Sequence, residues 1–545
     1  MPRGAGCADI MTHPAGRLTT AAIIVLAFVG VHRAPAQFDG SMSDLADEMR
    51  QRSDAKQIES DATEAFQSGD YLRAAGLYGA QAKLRPASFV AFYNLACALA
   101  NAGELPLAEQ ALKRSIELGF TSLTTLRTDP DLAPLRETVT YDNLVNDWPG
   151  VLDAGRPATR DRAARWIDRK PNERSLDALR IDLISARNDR ATDAAATQLE
   201  RVAAWTNTAL FSADDTVSDA DAGEQRDPAM QPWVAVVLPD ERDFRRWVLW
   251  TFGRSAFRGS ATNVGGAYEH DQKRLVAQDT GATLRHEAVH VFHWRDMERL
   301  GQTHPIWIQE GLASLVEDMD PPELLRIENG GPHRDTHDAQ RGWVPVASWR
   351  TNIAKRLADR RRLTPIETLA QADQRTFTTR RPLRQYAEAR ALLLFLLQRG
   401  HLSEWYATYT RDTTFGYATD PSGIAALEHT LGMPERDIHA AWTDWARDEL
   451  PLVPESFDDL GVTLGLDVQP DASGGPRITS LTRATRRETD LRMGDVIIAM
   501  NGRPINEVQE LVRVLAAREP GDGVILTYRR GKLFGETRAS VRRTP

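Results

Sequence analysis

The sequence predicts a multidomain protein: an all-α helical repeat, then an α+β domain, then a β-rich domain. Three observations predict it. A helical stretch at 64–86 returns at 99–120 with an offset of 34 residues. The apolar run "WVAVVLP" (233–239) opens an order of strand, helix, strand, helix that passes into helices up to about residue 450. The last 85 or so residues carry turn dipeptides, Gly494-Asp495 and Asn501-Gly502, among short apolar runs and one helical stretch. A chain of 545 residues is too long for one core, and a prior of roughly 150 residues per domain allows three or four.

The chain starts with an export pattern. Arg17 precedes "AAIIVLAFVGV" (21–31), which is shorter than the roughly 20 apolar residues of a membrane span. Ala34 and Ala36 supply the small residues of a cleavage site, so 1–36 is read as a signal peptide, with a retained anchor as the alternative. Either places the remainder outside the cytoplasm, in a periplasm, cell envelope or extracellular space. Two cysteines, Cys7 and Cys97, are too few for a disulfide framework, and Cys97 in "YNLACALA" reads as a small core residue. The formal net charge of −9 argues against a general nucleic-acid binder.

Within 56–140 the two copies pair Gly69 with Gly103 in turns, Ala74 with Ala108 where helices approach, and Tyr78 with Leu112 as bulky apolar positions. A helix-turn-helix repeating at 34 resembles the tetratricopeptide repeat, which implies a surface for protein partners. Residues 141–212 are charged and read as a helical extension or connector, and "DDTVSDADAGEQRDP" (214–228) as a loop. The middle domain is expected over 230–450. It has a helix at 241–252, a turn and strand within 263–279, and a helix over 283–300 closed by Gly301.

That last helix contains "HEAVH". His286 and His290, four apart, stack on one face and can reach one cation. Glu287 is rotated off their shared axis, where it can reach a water on the metal without ligating it. Leu284, Ala288, Val291 and Phe292 form an apolar stripe on another face. Two residues compete as third ligand. Glu310 lies twenty positions after His290 in "PIWIQEGLASLVED", and Asp296 lies six after it.

With Trp307, Glu310, Gly311 and Ala313 the chain resembles the gluzincin metallopeptidases, which place a glutamate ligand on the next helix. The resemblance implies an α+β zincin-like fold and a Zn2+ held by His286, His290 and Glu310. It also implies Glu287 as general base on peptide or protein substrates, and Tyr386 in "QYAEARALLLFLL" as donor to the carbonyl oxygen. The Asp296 alternative resembles the metzincins, which turn the chain at a glycine three after the second histidine; His293 stands there, so Glu310 is preferred. Where many gluzincins carry an acid four after the glutamate ligand, this chain has Ser314, and Glu317 is the available substitute. His293 is expected to lie off the ligand set, His304 in a loop, and Tyr268 and His270 on a plain turn and strand, which the resemblance would alternatively place at the border of the cleft.

"DDLGVTLGLDVQP", "LRMGDVIIAMNGRPI", "NEVQELVRVLAA" and "GDGVILTYRRGK" resemble a bacterial PDZ domain over 459–543. The resemblance implies capture of peptide C-termini at about Gly461 to Val468. Asp490, where a glycine is usual, departs from the pattern, and the arginine excess across 477–543 reads as a solvated face. Together these features predict an exported zinc metallopeptidase with flanking recruitment modules; the alternative is an inactive envelope scaffold binding proteins through the same modules.

Overall fold

Two helix pairs lead the chain in the structure, a computed structural model that describes residues 22–25, 57–164, 167, 170–211, 231–239, 241–252, 264–269, 273–320, 343–471, 474–516 and 518–544. The rest of the export segment, the loop 214–228 and His270 lie outside the described residues. Helices α1 (57–67) and α2 (Tyr71–Leu84) meet at Gly69, and α3 (Phe89–Asn101) and α4 (Leu105–Glu117) at Gly103. Both glycines have φ near +80°, which glycine alone adopts without steric cost. Ala74, Ala108, Tyr78, Leu112 and Cys97 are buried in one core. Among the described residues no helix is long and apolar enough to cross a membrane.

Residues 141–212 correct the expectation of a helical connector. Helices occupy Val139–Asn146 and Trp148–Ala164, but two strands follow, β2 (Asn172–Leu176) and β3 (Ile181–Ser185). All five residues of β3 are buried. A strand covered on both faces has no alternation to read, and five residues are too few to reveal a period. Helix α5 (Asp189–Thr206) comes next, capped by Asn188, whose side chain accepts from Ala191 N at 2.9 Å.

These strands belong to a six-stranded sheet with β1 (Ala22–Val25), β4 (Trp233–Val237), β5 (Val264–Glu269) and β6 (Arg274–Ala277), in the order β1-β5-β6-β4-β3-β2. Strands β3, β4 and β6 run parallel; β2, β5 and β1 pair antiparallel to their neighbours. β1 falls in the run read as an export signal and matches Ile24 to Gly266 on β5. Alternation in β4 splits the packing. Trp233, Ala235 and Val237 face the large core with α5 and the helices beyond, while Val234 and Val236 face a smaller core around Trp247.

On the large-core side lie α6 (Ala282–Leu300), α7 (Ile306–Leu315), α8 (Trp349–Asp359) and α9 (Pro382–Gln398). Gly301, at φ +65°, ends α6. Helix α7 lies against α9 at Gly311. A Cβ there would come within 2.7 Å of Leu393 Cδ1 and 3.2 Å of the Ala389 carbonyl, so the glycine after Glu310 sets how closely the helices approach.

The last unit has a second sheet, β7 (Leu466–Pro470), β8 (Pro476–Leu481), β9 (Val496–Met500), β10 (Gly523–Arg530) and β11 (Leu533–Ser540), in that spatial order. Helix α10 (Val508–Ala516) packs Leu511, Val514 and Leu515 into its core. The chain is thus helix-rich through residue 450 and β-rich at its end.

Candidate metal centre

Helix α6 carries His286 and His290 on one face, as the four-residue spacing requires, and α7 brings Glu310 to them. His286 Nε2 lies 3.2 Å from His290 Nε2. One Glu310 oxygen is 3.3 Å from the first nitrogen and 3.6 Å from the second. All three side chains are buried, and neither Glu310 oxygen has a hydrogen-bond partner in the fold. A tetrahedral cation with bonds of about 2.0–2.2 Å separates its ligand atoms by about 3.3–3.6 Å. The three separations, 3.2, 3.3 and 3.6 Å, come within about 0.1 Å of that spacing, and the donor set fits such an ion.

The electrostatics favour positive charge at this point. Burial alone would lower the His286 imidazole, but Glu310 and Glu317 outweigh it and raise it to about 9. Burial would raise Glu310, yet His290 and His286 hold it at about 2. The ionised Glu310 carboxylate beside both imidazoles thus favours positive charge at this point. Burial lowers His290, which stays neutral and able to ligate.

Glu317 supports the pair from behind. Its Oε1 accepts from His286 Nδ1 at 2.8 Å and its Oε2 from Arg350 Nε at 2.5 Å, fixing the histidine with Nε2 toward the cluster. Against burial, Arg350 and His286 keep Glu317 at about 2. The Ser314 hydroxyl is buried without a partner and takes no part. Arg350 was not foreseen: it comes from α8, 33 residues beyond Glu317, with no spacing to mark it.

Glu287 is fully buried and both its oxygens lack hydrogen bonds. Burial first, then the nearby carboxylates, push its carboxyl well above the ordinary range. Strand β5 crosses close beside it. A Cβ at Gly266 would fall 2.6 Å from Glu287 Oε1 and 2.5 Å from Thr283 Cγ2. Farther along β5, the Tyr268 ring stacks on His290 at 4.5 Å, with 16° between the planes. Tyr386 on α9 is buried, its hydroxyl has no partner, and burial with the charge of Glu310 raises its pKa.

Asp296 is engaged elsewhere. It accepts from Tyr406 Oη at 2.7 Å and from Arg299 at 2.7 Å. His293 is buried off the cluster, with Nε2 2.7 Å from His304 Nδ1, so both histidines are core residues.

Residues 462–539 match the family model of the PDZ domain. No curated protein matches the chain. Among solved structures, an aminopeptidase N family protein from Idiomarina loihiensis is similar at 14% identity and a TM-score of 0.26, over 69% of this chain and 67% of that one. PDZ domains generally bind peptide or protein partners.

Proposed function

We propose that this chain is an exported zinc-dependent metallopeptidase. The observation that carries the reading is the convergence of His286, His290 and Glu310 at the spacing of a tetrahedral cation, with the unpartnered Glu287 carboxylate beside them. A purely structural metal site has no use for a buried, unpaired base. When bound, a zinc ion would supply the Lewis acidity that activates a water and polarises a carbonyl.

The chain's own groups do the rest. Glu287 takes a proton from the attacking water and returns it to the leaving amine; its buried carboxyl favours holding that proton between the two steps. The Tyr386 hydroxyl, unspent in the fold, donates to the carbonyl oxygen as negative charge builds there. The outer edge of β5 accepts an extended segment, Ala22–Val25, in antiparallel register, and an extended peptide substrate would use the same edge. The apolar run at 21–31 supports export, the 34-residue helix pairs support tetratricopeptide-like partner binding, and the PDZ domain supports capture of peptide C-termini.

The test is the metal content of the purified chain beside its Glu310→Ala and Asp296→Ala variants. About one zinc per chain in the wild type and in Asp296→Ala, with loss in Glu310→Ala, is expected. Zinc retained in Glu310→Ala would sink the ligand set.

A further inference from the structure

The segment that holds Glu317 is gripped from both sides by the PDZ domain. Arg285, one residue before His286, donates through Nε to the Val316 carbonyl at 2.8 Å and through Nη2 to the Glu317 carbonyl. The same guanidinium faces Glu507 at 3.8 Å and Glu510 at 3.9 Å, both on or next to α10. Glu507 also accepts the backbone N–H of Ala282 in the first turn of α6. On the other side of Glu317, Asp318 pairs with Arg513 at 3.3 Å, and Asp320 pairs with Arg513 at 3.4 Å and with Arg503. Two acids and two arginines of the last domain thus bracket the five residues 316–320 and the start of the ligand helix.

These pairs are mostly withdrawn from water: Asp318, Arg285 and Arg513 side chains are 8%, 4% and 11% exposed. Buried ion pairs are poor sources of net stability, because desolvation offsets most of their attraction. They do fix position, since moving either partner strands a charge. What they fix here is the backbone that aims Glu317 at His286 Nδ1.

We propose that Arg503, Glu507, Glu510 and Arg513 are positioning residues for the metal centre, making the PDZ domain a structural part of the ligand set's support. The inference rests on the metal reading above and adds to it a role for this domain distinct from peptide capture. A partner that shifts α10 would be felt at His286 through Arg285 and Glu317.

The experiment uses the full-length chain. Arg503→Gln with Arg513→Gln is compared with wild type and with Arg542→Gln, whose partner Glu488 lies within the PDZ domain. Zinc affinity is measured by chelator competition, and the cobalt-loaded proteins are compared by their visible absorption, which reports ligand geometry rather than stability. The double variant is expected to bind zinc about 10- to 100-fold more weakly, the usual effect of removing an outer partner of a ligand, and to shift the cobalt bands. Arg542→Gln is expected to match wild type, and Arg513→Lys to keep most of the affinity. If the double variant fails to fold, Arg503→Gln alone and Asp318→Asn carry the same comparison. Wild-type affinity and an unshifted spectrum in folded variants overturn the clamp alone. A wild-type chain that takes up neither zinc nor cobalt overturns the metal reading beneath it.

Discussion

His286 hands its Nδ1 to Glu317 across 2.8 Å, and Glu317 is in turn anchored by Arg350 at 2.5 Å. This line from ligand to carboxylate to guanidinium is buried along its whole length. Replacing Glu317 with Gln keeps the shape and removes the charge. Metal affinity is expected to fall about 10- to 100-fold. Arg350 loses its anion, so the fold should lose about 3–5 kcal/mol. Urea unfolding and chelator competition check the two effects separately, and unchanged metal affinity would refute the orienting role.

Glu287→Gln should leave zinc content intact, because the carboxylate lies off the ligand set. Peptide hydrolysis is expected to drop by about 10²–10⁴-fold. Turnover near wild type in a metal-loaded Gln variant would exclude Glu287 as the base.

Tyr386→Phe removes a hydroxyl that has no partner in the fold. Stability should hold or rise slightly, since an unsatisfied buried group is lost. If the hydroxyl meets the developing oxyanion, kcat falls about 10²–10³-fold while KM moves little. A stable variant with unaltered kcat returns Tyr386 to a packing role.

Acid should weaken the core next to the metal helix. Gln302 donates its amide to the Thr410 carbonyl at 2.7 Å, which turns its oxygen to His304 Nε2 at 2.9 Å. His304 Nδ1 is then an acceptor for His293 Nε2, and the pair is neutral. Burial lowers His304 to about 3 and, with His304 beside it, lowers His293 well below its ordinary value. The unfolded chain binds these protons near pH 6.5 and the folded chain does not. Stability from the pair is therefore present above pH 6.5 and lost as pH falls toward 3, at about 1.4 kcal/mol per pH unit for each histidine. Urea midpoints of chelator-treated protein at pH 7 and 5.5 should differ less in His304→Gln than in wild type, and an equal difference would refute the assignment.

Legibility followed range. The His286–His290 face and the Gly301 stop are local and follow from helical periodicity. Glu310 came from a neighbouring motif, and its meeting with both histidines is the geometry that the motif implies. Glu317 could be named because it stands one turn beyond the expected position. Arg350 could not, since nothing in the chain ties residue 350 to residue 317. Strands β2 and β3 were hidden because a short, doubly covered strand has no alternation. The arginines of the last domain misled most. Arg503 and Arg513 read as solvated charge, yet their partners at 318 and 320 lie some 190 residues earlier, a pairing that only the folded chain reveals.

Gly266 has a genetic consequence. Every other amino acid carries a Cβ, so no missense change at this codon is mild: each sets a carbon 2.6 Å from Glu287 Oε1 and 2.5 Å from Thr283 Cγ2. A saturation library should therefore return one tolerated residue at 266 and many at Gly76 on α2, where the backbone is helical and a Cβ meets nothing within 4 Å. The codon would be as informative about the candidate metal centre as those of the histidines, although its side chain is a single hydrogen.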